Sequence, residues 1–406
     1  MNGGPNMLYT HCTEKLLGLQ GVKVTNIEKS ETTITVFAEM ERKEHRCISC
    51  GTATDTIHDY RLQPVKDIPA FGKKVRINLK KRRYRCTRCG KRFFEEIDFL
   101  PRYYRTTSRL TAFILDKLRD ERSFTSVAKE VDLSVSTVIR RFDLVSYGKP
   151  PLPSALSIDE FKGNTSGEKY QCIVTDPVNK TVLDILPKRY SHYLTSYFKS
   201  FPKPQREKVA VFVSDMWKTY ANTADVWFKN ATQIIDRFHW TRQAIWAFEN
   251  VRKQEQKKLG SELRKYFKRS KSLLIKRYDE LEQEQKEQVN VMLYYSPTIS
   301  RAYWHKEKFL EILHQKDADA SKAALVAWIN CADHCGIPQF KKCAQTMRNW
   351  YTGIVNSLYS PITNGFTEGC NNKIKVLKRN AYGYRNFRRF RNRILHIFSH
   401  QKQTVA

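Results

Sequence analysis

Two short cysteine motifs constrain the amino-terminal part of the chain more than any other feature of the sequence. Cys47 and Cys50 form one Cys-x2-Cys pair, Cys86 and Cys89 form the other, and a glycine follows each pair directly. Two thiolates at this spacing on a tight turn can bind one ion, and two such turns complete a tetrahedral zinc site. Because four thiolates leave no open coordination position, the sequence predicts a structural Zn²⁺ in a zinc ribbon, with strands inserted between its two knuckles.

A strand-like run before the second cysteine pair carries a dense set of cations. The segment KKVRINLKKRRYRC ends in Cys86, so its basic side chains lie close to the predicted zinc site along the chain. Cations along such an edge suit contacts with phosphates, which dominate the affinity of proteins for DNA. We therefore predict a DNA-binding edge formed by Lys80, Lys81, Arg82 and Arg83.

The charge balance of the whole chain also indicates a polyanionic partner. The 406 residues include 72 lysines and arginines against 41 aspartates and glutamates, which gives a formal net charge of +31. Such an excess favours nucleic acid as the partner. The sequence contains no apolar run of membrane-spanning length and no visible signal peptide, so we expect no membrane partner and a reducing cytoplasmic location.

Residues 122–142 have the pattern of a helix-turn-helix. Apolar residues recur at helical spacing on both sides of the turn Asp132-Leu133-Ser134, and the second helix is expected to pack through Val135, Val138, Ile139 and Phe142. Its outward polar residues suit base edges and phosphates in a major groove: Ser136, Thr137, Arg140 and Arg141. A helical hairpin that makes no DNA contact is the alternative.

After a proline-rich boundary at residues 148–153, the pattern changes to that of an α/β domain. Three strand-like runs, a helix and a fully apolar strand follow one another, which is the order that opens a ribonuclease-H-like mixed sheet. Asp159 lies in the first of these strands and Asp215 at the end of the fourth strand. We expect their carboxylates to lie side by side.

A helix within residues 360–383 offers a third carboxylate. One face is apolar, and the opposite face carries Glu368, Asn372, Lys375 and Arg379. A carboxylate followed by amide and cationic side chains suits a metal-bound phosphodiester, and three carboxylates suit a pair of Mg²⁺ or Mn²⁺ ions that catalyse phosphoryl displacement. An ordinary surface helix with solvated charges is the alternative.

Several segments in order resemble the bacterial insertion-sequence transposases of the ISL-three type. They are the zinc ribbon, the helix-turn-helix, SIDEFKG, FVSDMWKTY, IDRFHW and ITNGFTEGCNNKIKVLKRNAYGYRNFRRFRNRIL. The resemblance implies that Asp159, Asp215 and Glu368 form a DDE catalytic triad, and that Asp236 and His239 support the active site. It further implies cleavage and strand transfer at terminal inverted repeats, target DNA as a second substrate, and a homodimer or larger synaptic assembly associated with the nucleoid.

The chain is expected to divide into five segments, with the catalytic fold interrupted by an insertion. They are strands and zinc ribbon (1–100), helix-turn-helix domain (101–150), first part of the ribonuclease-H-like domain (151–240), helical insertion (241–358), and catalytic Glu helix with basic carboxy-terminal segment (359–406). In the last segment, phosphate contacts are expected from Lys375, Arg379, Arg388 and Arg389. The alternative function is a non-catalytic, sequence-specific DNA-binding regulator derived from a transposase.

Overall fold

The computed structural model describes residues 14–269 and 271–399, and the chain divides into two compact units. Residues 14–147 and 376–383 form the first unit, and residues 148–375 and 384–399 form the second. None of the helices in the described part of the chain combines the length and the apolar character that crossing a bilayer requires.

The first unit contains a twisted sheet whose long hairpin separates the two cysteine pairs. Its strands are β1 (Val22–Lys29), β2 (Thr33–Met40), β3 (His45–Arg46), β4 (Ala53–Thr54), β5 (Ile57–Ala70), β6 (Lys73–Arg85) and β7 (Arg92–Phe94). The order in the sheet is β1-β2-β6-β5, with β7 also on β6, while β3 and β4 form a separate small pair. Phe71 and Gly72 join β5 to β6 with φ of 53° and 70°, which is the left-handed geometry that a two-residue hairpin turn requires.

Three helices follow the sheet in the first unit, and two of them form the predicted helix-turn-helix. They are α1 (Ser108–Lys117), α2 (Phe124–Glu130) and α3 (Val135–Phe142). Ser134 caps α3 by accepting a hydrogen bond from the backbone N–H of Thr137, and Asp132 in the turn has φ of 53°. Val138 and Phe142 are buried as predicted, but Val135 is 37% exposed, which corrects its predicted packing role.

The second unit is built on a mixed five-stranded sheet. Its strands are β8 (Ala155–Thr165), β9 (Glu168–Asp176), β10 (Thr181–Leu186), β11 (Val211–Ser214) and β12 (Thr232–Ile235). They are ordered β10-β9-β8-β11-β12; the β8–β9 and β9–β10 pairs are antiparallel, whereas β11 is parallel to both of its neighbours. The mixed α/β character predicted from the sequence is therefore present.

Helices cover this sheet and form a large helical layer of their own. They are α4 (Ser191–Lys199), α5 (Lys203–Glu207), α6 (Lys218–Trp227), α7 (Arg237–Gln256), α8 (Ser261–Arg269), α9 (Lys271–Ile275), α10 (Gln283–Tyr295), α11 (Pro297–Leu310), α12 (Ala318–His334), α13 (Pro338–Asn349), α14 (Tyr351–Tyr359), α15 (Gly365–Asn380) and α16 (Phe387–Phe398). Two 3₁₀ turns, Tyr278–Glu280 and Glu311–His314, lie among them. Helices α7 to α14 share one apolar core around Trp240, Phe309 and Trp328, so this part is held by its own packing.

Candidate active site and DNA-binding surfaces

Three aspartates meet at one edge of the mixed sheet because three neighbouring strands run parallel there. The registers of β11 with β8 and with β12, continued by one or two residues, put Asp215 between Asp159 and Asp236. A hydrogen bond from the backbone N–H of Asp236 to the carbonyl of Ser214, at 3.0 Å, extends the β11–β12 ladder to this level. Since adjacent strands are about 4.8 Å apart, the register brings Asp159 and Asp215 together, as the sequence predicts.

At this edge Asp159 and Asp236 are buried and Asp215 is half-buried, and the negative charges destabilise one another. Burial raises the pKa of Asp159 to about 7, and the charges of Asp215 and Glu160 also raise it. Burial raises the pKa of Asp215 to about 6, against the opposing charge of His239. Burial likewise raises the pKa of Asp236. Oxygen ligands with surplus negative charge in a partly desolvated site fit a hard divalent cation such as Mg²⁺.

Helix α15, which carries Glu368, packs on the sheet through polar side chains at its amino-terminal end. Ser157 of β8 donates a hydrogen bond to the side chain of Asn364. The hydroxyl of Thr367 lies 3.2 Å from that of Ser157 and 2.7 Å from that of Thr175 on β9. All four side chains are buried, so these contacts fix the position of the helix along the strand.

Two further contacts connect the same helix to the aspartates. Asn371 Nδ2 donates to Asp159 Oδ2 at 2.8 Å, and the backbone N–H of Asn364 donates to Asp236 Oδ1 at 3.3 Å. Glu368 lies between Asn364 and Asn371 in the sequence and is exposed. Its negative charge raises the pKa of Asp236. The structure therefore brings Glu368 close enough to Asp236 for their charges to interact.

The two predicted faces of α15 have the expected exposure. Cys370, Ile374 and Leu377 are buried, whereas the polar face is exposed at Glu368, Asn372, Lys375 and Arg379. Lys375 Nζ donates to Asn372 Oδ1 at 3.0 Å. Sequence reasoning missed the third, polar stripe. Its signal is the spacing of Asn364, Thr367 and Asn371, which places three short polar side chains on one side of the helix.

A second feature that sequence reasoning missed is a cation beside the aspartates. Arg189 Nη1 lies 2.7 Å from both carboxylate oxygens of Glu160, and its guanidinium lies over the rings of Tyr170 and Trp217, at 4.6 and 4.7 Å from their centroids. The backbone N–H of Trp217 donates to Asp215 Oδ1 at 3.1 Å. Arg189 thus connects Glu160, the neighbour of Asp159 in the sequence, with Trp217, whose backbone N–H binds Asp215.

The predicted support residues lie together at the start of α7. Asp236 immediately precedes the helix and His239 lies in its first turn, with Nε2 of the histidine 3.9 Å from Asp236 Oδ2. Among the described residues, four cysteines are the one group of three or more His, Cys, Asp or Glu whose ligand atoms all lie within 4.8 Å of one another. The carboxylates of Asp159, Asp215 and Glu368 are therefore more widely spaced than a single compact ion site.

The four predicted zinc ligands converge in the first unit. Sγ of Cys47 lies 3.6 Å from Sγ of Cys89, and Sγ of Cys50 lies 3.5 Å from Sγ of Cys86. A Zn–S bond of 2.3 Å in a tetrahedral site implies about 3.8 Å between sulfurs, so the arrangement fits Zn²⁺. Hydrogen bonds with Thr52, and next with Cys89 and Cys86, lower the pKa of Cys50 to about 6, which favours the thiolate form of this side chain.

The predicted contacts of the helix-turn-helix with DNA separate into outward and inward side chains. Ser136 and Arg140 are exposed and Thr137 is half-buried, with Arg140 Nη2 donating to Thr137 Oγ1 at 3.2 Å. The structure corrects the expectation that Arg141 projects outward. Its guanidinium lies 3.7 Å from the ring centroid of Tyr104 and Nη2 donates to Thr106 Oγ1 at 3.1 Å.

The predicted basic edge of β6 is narrower than expected. Lys80 is exposed over the Tyr60 ring, Lys81 is half-buried, and Arg83 pairs with Asp59. Arg82 is only 5% exposed, so the structure corrects its assignment to the DNA-binding edge. Its guanidinium forms ion pairs with Glu39 (3.3 Å) and Glu95 (3.6 Å) and donates to the Met40 carbonyl (2.6 Å), because the strand turns this side chain into the sheet's interior.

On α16, Arg388 is exposed and Arg389 half-buried.

Three family models match consecutive parts of the chain. One described as a zinc-finger of transposase IS204/IS1001/IS1096/IS1165 matches residues 43–89, and one described as the helix-turn-helix domain of transposase family ISL3 matches residues 95–146. The ISL3 DDE model, described as a transposase, matches residues 156–394. The fold and the matches define a DNA-binding transposase with a four-cysteine zinc site.

The chain belongs to the ISL3 family of transposases. It is 27% identical over 394 residues to the transposase for insertion sequence element IS1001 of Bordetella parapertussis, covering 94% of this chain and 96% of that protein. Over 127 residues it is 29% identical to the transposase for insertion sequence element IS1557 of Mycobacterium tuberculosis, covering 31% and 28%. A Lactococcus lactis protein named ATP-dependent protease is 32% identical over 108 residues, which cover only 26% of this chain and 33% of that protein.

Proposed function

We propose that this transposase binds the terminal inverted repeats of its insertion sequence and cleaves and transfers DNA strands with Asp159, Asp215 and Glu368 as its catalytic carboxylates. The observation that carries the proposal is the alignment of Asp159 with Asp215 across parallel strands, in a site where burial raises the pKa of both. Glu368 is the third proposed carboxylate, and it lies on α15, whose Asn371 side chain donates a hydrogen bond to Asp159.

The strand order supports a ribonuclease-H-like fold for the catalytic domain. Numbered along the domain, the strands lie in the order 3-2-1-4-5, with the second strand antiparallel to both of its neighbours. In such a sheet the first and fourth strands are adjacent, which is where Asp159 and Asp215 occur. We retain the proposed division of this domain into residues 151–240 and 359–406, interrupted by the helical insertion 241–358.

Each proposed active-site residue has a task that its environment suits. Two Mg²⁺ or Mn²⁺ ions, when bound by the three carboxylates, supply Lewis-acid stabilisation of the attacking and leaving oxygens. Asp236 and His239 adjoin the carboxylates and tune their charge. Lys375 and Arg379, on the exposed face that carries Glu368, are positioned for phosphate contacts.

The proposed reaction uses hydroxyl nucleophiles rather than a protein nucleophile. Water attacks the phosphodiester at the end of the element, the bond to the 3′ oxygen breaks, and a 3′ hydroxyl remains on the element. That hydroxyl then attacks a target phosphodiester, so one bond forms as another breaks and no oxidant or energy source is needed. Two element ends and the target must be held together, and we propose a homodimer or larger synaptic assembly for that purpose.

A cleavage and joining assay tests the proposal. The substrate is a labelled duplex that carries the terminal repeat flanking the gene, incubated with the purified chain and either Mg²⁺, Mn²⁺ or no added divalent ion. We expect metal-dependent nicks at the repeat boundary and, with a target duplex, a joined product that is lost when the precleaved end lacks its 3′ hydroxyl. Repeat-specific binding without nicks under any of these conditions would instead identify a non-catalytic regulator.

A further inference from the structure

A cationic cleft of about 800 Å³ lies within the first unit, between the β5–β6 hairpin and α3. Five cations line it: Lys66, Arg76, Arg105, Arg140 and Arg141. The first two also pair with the carboxylate of Asp132, at 2.9 and 3.6 Å. Lys66 and Arg76 come from the hairpin, Arg105 from the connector that leads to α1, and the other two from α3. The charge of these walls therefore suits a polyanion that contacts the zinc-ribbon sheet and the helix-turn-helix together.

The cleft borders the side of α3 that is predicted to face DNA. Thr137, Arg140 and Arg141 line it, and their spacing of three and four residues puts them on one face of the helix, while Leu144 lines it from the turn that follows α3. The recognition face of α3 consequently has the hairpin opposite one of its flanks. A DNA duplex that receives α3 in its major groove must accommodate that second wall.

Side-chain and backbone contacts hold the two walls at a fixed separation. The backbone N–H of Lys66 donates to the Arg105 carbonyl at 2.9 Å, which ties the connector to β5. Asp132, in the turn between α2 and α3, is 2.9 Å from Lys66 Nζ and 2.8 Å from Lys74 Nζ. The turn of the helix-turn-helix is thus fastened to the hairpin, so the cleft is a built feature of the unit.

We propose that the cationic cleft holds one sugar–phosphate strand of duplex DNA, namely the strand that borders the major groove occupied by α3. A helix in a major groove has a phosphate backbone on each flank. Arg105, on the connector bonded to β5, and Arg140, on α3, are exposed and can contact phosphates of one of them from the two walls of the cleft. Such a strand accounts for cations on both sides of the cleft.

The aromatic side chains at the cleft favour the backbone over an extruded base. A flipped base needs an open aromatic face to stack on, but the guanidinium of Arg141 covers the ring of Tyr104 at 3.7 Å. Tyr103 also lines the cleft, and although it is 87% exposed, the guanidinium of Arg102 lies over its ring at 4.9 Å from the centroid. The hairpin would then add sequence-independent affinity and fix the register in which α3 reads the repeat.

Two arginines of the connector form a matched pair for the test. Arg105 lines the cleft. Arg102 is also exposed and lies three residues earlier, but it does not line the cleft, and its guanidinium lies over the ring of Tyr103. Binding of the full zinc-loaded chain to a duplex of about 30 base pairs is measured without Mg²⁺ at several salt concentrations, for Arg105→Gln and Arg102→Gln. Zinc content and thermal unfolding are compared with those of the unsubstituted chain.

Loss of one phosphate contact has a defined signature. We expect Arg105→Gln to make the negative slope of log K against log salt shallower by about 0.9 and to weaken binding on the order of eightfold at 0.1 M salt, while Arg102→Gln retains the original slope. Replacing single phosphates by neutral methylphosphonates should weaken the unsubstituted chain at adjacent positions of one strand, and one of these replacements should have no further effect on Arg105→Gln.

Equal slopes for the two variants would overturn the proposal, as would methylphosphonate effects that do not overlap with Arg105→Gln. A rise in the fluorescence of a 2-aminopurine in the duplex that depends on Arg105 would show an extruded base in the cleft instead of the backbone. Because these measurements omit Mg²⁺ and cleavage, they are independent of the proposed catalytic residues.

Discussion

Substituting Asp159 by asparagine should stabilise the metal-free protein while it removes a catalytic ligand. The buried carboxylate of Asp159 is costly to ionise, and an amide of nearly the same shape has no charge to lose. Asparagine can still accept the hydrogen bond from the backbone N–H of Glu160. Asn371 can reverse its amide to meet the new Nδ2, because its Oδ1 is buried without a hydrogen-bond partner.

The size of the effect follows from the pKa of Asp159. Burial raises this pKa from 3.8 to about 7, a difference that corresponds to about 4 kcal/mol. The folded protein keeps the proton between these values while the unfolded chain releases it, so the stability that Asp159 contributes below pH 4 is lost as pH rises through 7. The free energy of unfolding of the unsubstituted chain should therefore be lower than that of Asp159→Asn by about 2 kcal/mol at pH 5.5 and by about 4 kcal/mol at pH 8.

Urea unfolding followed by tryptophan fluorescence measures this difference in the relevant unit, because all seven tryptophans lie in residues 148–375. The protein is zinc-loaded and free of Mg²⁺, and Asp225→Asn, at an exposed position on α6, is the control, expected to stay within about 0.5 kcal/mol. Added Mg²⁺ should narrow the gap at pH 8 because it binds only the intact site. A variant that is no more stable than the unsubstituted chain at pH 8, or equally stabilised at both pH values, would refute the buried-carboxylate reasoning.

Three further predictions concern the zinc site and the surroundings of the aspartates. Cys86→Ser should lose bound zinc and DNA binding, as measured by metal analysis and gel shift, whereas Cys331→Ser, at an exposed thiol outside the site, should keep both. Asp236→Asn should slow strand cleavage by roughly 10- to 100-fold without abolishing it, since it acts beside the proposed ligands; complete loss would make it a ligand itself. Arg189→Lys cannot keep both the double contact with Glu160 and the aromatic stacking, so cleavage should require more Mg²⁺ for half-maximal rate, and an unchanged Mg²⁺ titration would contradict a positioning role.

The features that the sequence predicts best depend on local spacing. The convergence of Cys50 and Cys86 needs only two tight turns and one hairpin between them, and each is encoded by nearby residues. The order of strands and helices around Asp159 is likewise readable from apolar periodicity. The position of Asp215 beside Asp159 then follows from the pairing of their strands, so the sequence alone predicts that the two carboxylates lie together.

The features that the sequence does not reveal depend on which side chains meet from distant parts of the chain. Arg82 and Arg83 are adjacent in the same basic run of the sequence, so local sequence does not distinguish them. Only the positions of Glu39 and Glu95 in the folded sheet explain why Arg82 is buried. Similarly, the pairing of Arg189 with Glu160 joins residues from different elements, and nothing in either local pattern specifies it. Polar contacts of this kind are set by tertiary packing rather than by periodicity.

The most direct test of the catalytic assignment is strand cleavage at the terminal repeat by Asp159→Asn, Asp215→Asn and Glu368→Gln, measured beside the unsubstituted chain and Asp225→Asn in Mg²⁺. Binding of the same duplex is measured for every protein without Mg²⁺, so that loss of chemistry is separated from loss of the complex. The proposed triad predicts that each of the three substitutions abolishes nicking while binding persists and Asp225→Asn stays active. Nicking that survives any one of the three would contradict the assignment of that carboxylate to catalysis.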